Sequence, residues 1–103
     1  MKTLNKKEGP FFRDILFLEA SSNYTLIHYR DSEVKMVAYS LNLVAEKLSR
    51  SICLFRPNRK FVVNLSHVDQ YDNNHIKVKN KSISISRRRK VNVKKVLMNH
   101  FNK

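Results

Sequence analysis

Apolar residues in this chain fall into short runs, several alternating with a period of two and others unbroken, and take the period of a helix in only one clear place. That pattern restricts the chain to a mainly β fold, because alternation sends every second side chain to one face of a strand. Ile15-Leu16-Phe17-Leu18 is a short unbroken block, as expected of a strand buried on both sides. Ala20-Ser21-Ser22-Asn23 then reads as a turn. Tyr24 to Tyr29 sets Tyr24, Leu26 and His28 against Thr25, Ile27 and Tyr29, and aromatic and β-branched residues at that spacing favour a strand. Asp31-Ser32 breaks it, and Val34, Met36 and Ala38 begin a returning strand, completing a hairpin.

Ser40 to Leu48 changes the period. Leu41, Val44, Ala45 and Leu48 fall at i, i+3, i+4 and i+7, with Ser40 placed to cap the first turn, so a helix is expected over about residues 40–49. Its apolar stripe is core packing. Ile52 to Phe55 and Phe61-Val62-Val63-Asn64-Leu65 are two further apolar runs, the second strongly β. Pro57 lacks the N–H a central ladder needs, so residues 56–60 should form an exposed loop or edge. Asp72-Asn73-Asn74 is a turn. Ile76 and Val78 then alternate with Lys77 and Lys79, and Ile83 and Ile85 with Ser82, Ser84 and Ser86, with Asn80-Lys81 as a tight hairpin between them. Val93, Val96, Leu97 and Phe101 suggest a C-terminal helix over about residues 91–101. With one glycine and two prolines, the turns rely on Asn, Asp and Ser.

A chain of 103 residues makes one domain with a single modest core. At 42% hydrophobic residues it can fold, and no apolar run approaches the roughly 20 residues needed to cross a bilayer. The basic start, Met1 to Lys7, leads into Glu8-Gly9-Pro10 and not into an apolar signal core, so a cytoplasmic location is expected. Cys53 has no cysteine partner and, between Ile52 and Leu54, is expected to be a buried structural thiol. His28, His67, His75 and His100 lack metal-ligand spacing, and no glycine-rich phosphate loop exists. No cofactor, metal or catalytic residue is therefore expected, and the chain is not read as an enzyme.

Charge is the strongest functional signal. The net charge is +13, and residues 56–103 hold thirteen Lys and Arg against two Asp, while residues 1–55 hold eight basic and six acidic side chains. Such self-repulsion opposes compactness, so a polyanionic partner is the natural explanation, nucleic acid first and an anionic membrane second. Ser86-Arg87-Arg88-Arg89-Lys90 follows a strand directly, where arginine forks can meet phosphates or guanine edges, although a solvated basic run reads the same way. Ser86 would donate to a phosphate or cap the next turn. Arg56-Pro57-Asn58-Arg59-Lys60 is a second basic loop, anchored by Phe55 and Phe61, with Arg59 and Lys60 pointing outward. Arg56 suits contact or a structural role equally, its head paired with an acid such as Glu19. Asn23 and Tyr24 are a third candidate, on the turn before a strand. An RNA-binding module and an anionic-membrane-binding basic β module remain the alternatives; the first would expose stacking aromatics, for which Tyr24, Tyr29 and Tyr39 are available.

These features, taken in order, carry a resemblance. Asp14-Ile15-Leu16-Phe17-Leu18-Glu19-Ala20, Asn23-Tyr24, Ser40-Leu41, Phe55-Arg56-Pro57-Asn58-Arg59-Lys60-Phe61-Val62-Val63-Asn64-Leu65 and Ile83-Ser84-Ile85-Ser86-Arg87-Arg88 resemble the LytTR family of bacterial DNA-binding domains. The resemblance implies an elongated arrangement of small antiparallel β-sheets with a short helix. It implies sequence-specific binding of double-stranded promoter repeats through basic loops in successive grooves, as the output domain of two-component response regulators. By position, Asn23 and Tyr24 would occupy the first contact loop, Arg59 and Lys60 the middle one, and Ser86, Arg87 and Arg88, continued by Arg89 and Lys90, the last. A second copy on DNA and an N-terminal receiver domain, absent from these residues, are the protein partners it implies. Family members commonly carry histidine near Asn58, so Pro57, Arg59 and Lys60 make this loop stiffer and more basic. Residues 1–12 are expected to be an N-terminal segment with a truncated or irregular opening strand, and residues 13–103 the LytTR-like domain.

Overall fold

The computed structural model describes residues 12–102. Eight strands and two helices follow in the order β1 (Ile15–Ser21), β2 (Tyr24–Tyr29), β3 (Val34–Val37), α1 (Leu41–Leu48), β4 (Leu54–Phe55), β5 (Phe61–Asn64), β6 (Gln70–Tyr71), β7 (His75–Val78), β8 (Lys81–Ser84) and α2 (Lys90–Phe101). They form a five-stranded sheet in the order β3-β2-β1-β5-β4 and a three-stranded sheet β6-β7-β8. Every pairing is antiparallel. The domain is mainly β and measures 40 × 31 × 25 Å, in keeping with the expected elongated set of small sheets.

β1 organises both cores. Its pairing with β2 shifts register between Ile15, opposite Tyr29, and Phe17, opposite His28. One residue is therefore extra, as in a β-bulge, and Leu16 and Phe17 turn toward the same cluster instead of alternating. Ile15 and Leu18 join Ile27, Tyr29, Val62 and the α1 stripe of Leu41 and Val44 on one face of the large sheet. Leu16 and Phe17 join Phe61, Val63, Ile76, Val78, Ile83, Val93 and Leu97 on the other, where the small sheet and α2 cover it. The unbroken apolar block is thus a strand buried on both sides, as its sequence implied. Asn64, 1% exposed, carries a polar group into this interior: its Nδ2 donates to the Ile15 carbonyl at 2.8 Å and its Oδ1 accepts the Ser66 N–H at 3.1 Å.

Helix α1 begins as read, with Ser40 at its N-cap accepting the Leu43 N–H at 3.3 Å. Other expectations need correction. The first turn is only Ser22-Asn23, because β1 runs on to pair Ala20 with Thr25 and Ser21 with Tyr24, and Ser22 takes a left-handed φ of 57°. The β7–β8 turn is Lys79-Asn80, one residue earlier than expected, since Val78 pairs with Lys81 and Lys79 supplies the left-handed φ of 56°. Cys53 is exposed, because residues 49–53 turn out of α1 and only Leu54 and Phe55 enter the ladder. Helix α2 is the longer helix. Val93 and Leu97 are buried, but Phe101 is 44% exposed and only lays its ring 5.4 Å from that of Tyr71. The expected segment 1–12 lies outside the described residues apart from Phe12, which opens a single 3-10 turn, Phe12–Asp14.

Leu97, 1% exposed, seats α2 on the small sheet. Leu97→Ala is expected to lower stability by roughly 2–5 kcal/mol, read from the urea midpoint at unchanged m-value. Tyr29 tests the other core. Its phenol is held above its ordinary pKa by burial, then by Glu33 and Asp31 nearby. The folded state therefore favours the protonated ring, and its stabilising contribution is present below the unfolded value and lost as pH rises toward and through the raised one. Tyr29→Phe, which keeps the ring, should remove that alkaline loss, so the two proteins' urea midpoints diverge only above about pH 10.

Candidate nucleic-acid interface

The hairpin register places three basic or polar segments at one end of the large sheet. β1 ends and β2 begins there, at the Ser22-Asn23 turn, with Asn23 exposed and Tyr24 45% exposed as the first residue of β2. The loop before β5 reaches the same end, because Phe61 pairs with Glu19 and the Lys60 carbonyl accepts the Ala20 N–H at 2.8 Å. The last segment docks on that loop through the Ser86 N–H, which donates to the Pro57 carbonyl at 2.9 Å. Hairpin, middle loop and basic run therefore lie in one continuous row.

Asn58 holds the middle of the row. Its Oδ1 accepts the N–H groups of Lys60 at 2.8 Å and Phe61 at 2.9 Å, and its Nδ2 donates to the Ser84 carbonyl at 2.7 Å. A loop of the large sheet is thereby fastened to β8 of the small one. Arg56 braces the same loop from inside: Nε donates to the Asn58 carbonyl at 3.1 Å, one terminal nitrogen to the Arg59 carbonyl at 2.7 Å, and the other to Asn42 Oδ1 at the start of α1. Arg56 thus has a structural role, with carbonyls and Asn42 as partners instead of an acid. Pro57 is fully buried, so the loop is exposed only at Arg59 and Lys60.

Glu19, expected beside Arg56, serves other partners. Its Oε1 meets His28 Nε2 at 2.9 Å and its Oε2 lies 3.5 Å from Lys60 Nζ, while His28 stacks on Phe17 with ring centroids 4.3 Å apart. Lys60 and Lys81 flank the ring of Phe61 at 5.8 and 5.4 Å. Lys81 is a basic residue of this region that the sequence reading missed; the Lys77, Lys79, Lys81 alternation was its only signal.

In the last segment Arg87 and Arg88 are exposed, within a 3-10 turn, Arg87–Arg89, that leads into α2. Neither side chain makes a hydrogen bond or ion pair among the described residues, and the same is true of the Arg59 side chain. Arg89 is half-buried and close enough to Arg56 that burial, then Arg89, then Arg59 push the Arg56 guanidinium below its ordinary pKa. Three guanidinium groups from two loops thus share one field. The Ser86 hydroxyl is enclosed and makes no hydrogen bond, so it neither caps the turn nor faces outward. Lys90 is committed to Asn74 Oδ1 at 2.6 Å, on the turn between β6 and β7. The opposite end of β1, about 20 Å away for seven residues, carries Asp14, which faces Arg30 at 3.6 Å, and the Asp31 and Glu33 turn.

The arrangement offers exposed cations on braced loops. No helix among the described residues is long and apolar enough to cross a membrane. Comparison with known proteins bears on the family and the fold. Residues 11–98 match the family model of the LytTr DNA-binding domain. A solved structure, the LytTr DNA-binding domain of a methyl-accepting/DNA response regulator from Bacillus cereus, superposes with a TM-score of 0.69 at 21% identity, covering 84% of this chain and 83% of that one. Among curated proteins none matches.

The bracing by Asn58 has a direct readout. Asn58→Ala should leave the Lys60 and Phe61 amides without acceptors, so their hydrogen exchange accelerates while amides of α1 keep their protection. The loss in overall stability should be about 1–3 kcal/mol, as for other polar groups left unpaired.

Proposed function

The chain belongs to the LytTR family of DNA-binding domains, and from that membership we propose that it binds double-stranded DNA at promoter repeats and regulates transcription. The observation that carries this reading is the row at one end of the large sheet. Arg59, Arg87 and Arg88 leave it exposed and unpaired, beside Lys60 and the hairpin tip bearing Asn23 and Tyr24. Exposed guanidinium forks on loops suit guanine O6 and N7 in a major groove, and Lys60 suits phosphate. The molecule is 40 Å long, enough to follow about one turn of duplex, roughly 34 Å. Loops at the ends of the row would then enter successive major grooves, with Arg59 and Lys60 over the minor groove between.

Roles divide according to how each side chain is held. Arg87 and Arg88 read bases, and Arg59 and Lys60 contact the backbone and the narrow groove. Ser86 positions the run through its backbone, while Arg89 and Lys90, tied into the fold, add to the field. Binding needs no cofactor and no chemistry, in line with a family named for DNA binding. The similar Bacillus cereus domain belongs to a response regulator, which favours a receiver domain as the source of the signal, a second copy on an adjacent repeat, and work in the cytoplasm.

The test is fluorescence anisotropy on a duplex selected from random sequences, repeated across a salt series. Five or six phosphate contacts give a log–log slope of about −5. Arg88→Ala should cost roughly 1–3 kcal/mol and relax preference at one position, whereas Lys60→Ala should weaken all sequences alike and flatten the slope by about one. Unchanged binding in both variants would remove the loops from the interface.

A further inference from the structure

At the end of the sheet order, β3 has β2 on one side and no strand on the other among the described residues. Its outer edge is apolar and open: Val34 is 49% exposed and Met36 59%. The ladder parity identifies which backbone groups face out. Tyr29 N–H donates to the Glu33 carbonyl at 2.9 Å, and the register continues Ile27 with Lys35 and Thr25 with Val37. In an antiparallel pair every second residue is hydrogen-bonded, so Glu33, Lys35 and Val37 bond inward and Val34 and Met36 present their N–H and C=O groups outward. A short edge of this kind is a template for another strand.

Charge specifies the strand that fits. Glu33 and Lys35 flank Val34 and make no ion pair among the described residues. We propose that β3 pairs antiparallel with β3 of a second copy, centred on Val34, so that Glu33 of each copy faces Lys35 of the other. In that register Val34 exchanges two backbone hydrogen bonds with its symmetry mate. Both Glu–Lys pairs fall at non-hydrogen-bonded positions, where opposing side chains come closest. Centring on Lys35 instead would set two lysines against each other at such a position. The edge also lies on the half of the chain with nearly balanced charge, away from the strongly basic residues 56–103. Two copies can approach there without the repulsion that their basic rows would produce.

The pairing joins two five-stranded sheets edge to edge and turns one copy through half a revolution within the sheet plane. The end of the sheet that carries Tyr24 and Lys60 then points one way in one copy and the opposite way in the other. Such a dimer is suited to hold two separate stretches of duplex, whereas copies on adjacent repeats would sit side by side without this contact. This consequence rests on the DNA-binding reading above, whereas the pairing itself does not.

Sedimentation equilibrium of the chain without DNA tests the pairing. Wild type should associate, weakly, given four-residue strands. Glu33→Lys and Lys35→Glu should each weaken the dimer on the order of tenfold, since each replaces two attractive pairs with repulsive ones. The double variant E33K/K35E should recover wild-type association. Net charge moves in opposite directions in the two single variants, so a general charge effect would strengthen one and weaken the other. A wild type that stays monomeric at millimolar concentration, or a double variant that stays as weak as the singles, overturns the proposal. Two differently labelled duplexes then test the consequence. Wild type should bring them into energy transfer, and E33K should bind each duplex without joining them. Association without bridging by a protein that binds duplex would overturn the opposed arrangement, while failure to bind duplex at all would count against the DNA reading alone.

Discussion

Everything at the basic end depends on one amide side chain. Asn58 accepts two backbone N–H groups of its own loop and donates to the Ser84 carbonyl of the other sheet, so it closes a turn and fastens two sheets in a single residue. Asparagine suits this because its side chain carries acceptor and donor on one rigid plane. Pro57 completes the seam by giving its carbonyl to the Ser86 N–H, while its ring, which brings no N–H to satisfy, is buried. Two loops from separate sheets thereby become one surface, and the charges they carry keep fixed relative positions.

That surface works against the fold it belongs to. Burial, then the nearby Arg89 and Arg59, disfavour the charge on Arg56, and an arginine cannot relieve this by losing a proton. Among the described residues only Glu19 forms ion pairs at this end, and it is shared between His28 and Lys60. The carboxylates of Asp14, Asp31 and Glu33 sit at the far end of β1 and β2. The molecule is therefore electrically polar along its strands, with an unneutralised end that a polyanion can stabilise and a far end that is balanced. Rigidity and charge act together: because Arg56 is used to brace the loop from within, Arg59 is left free to point out of it.

Much of this was legible from residues alone. The alternating runs identified β2, β7 and β8, the continuous apolar run identified β5, and Ser40 with its i, i+3, i+4 stripe identified α1, because burial leaves a local signal in the sequence. The basic run after Ile85 and the loop after Phe55 also stood out, since charge does not depend on folding. Errors arose where a single residue's backbone decided the outcome. Ser22 and Lys79 adopt left-handed φ values without being glycine, which shortened one turn and moved the other by a residue. Cys53 looked buried between apolar neighbours but lies before the ladder begins.

The amino-acid sequence by itself determined the mainly β class, the positions of most strands, the uneven charge and the family pattern, because periodicity and composition are properties of the chain. Only the tertiary structure decided which charges are available. Arg56, Lys90 and the Ser86 hydroxyl are tied in or enclosed, whereas the side chains of Arg59, Arg87 and Arg88 are free, and Arg56 and Lys90 are held in part by Asn42 and Asn74, fourteen and sixteen residues away. No local rule encodes such distances. They follow from how two sheets and a bulged strand pack.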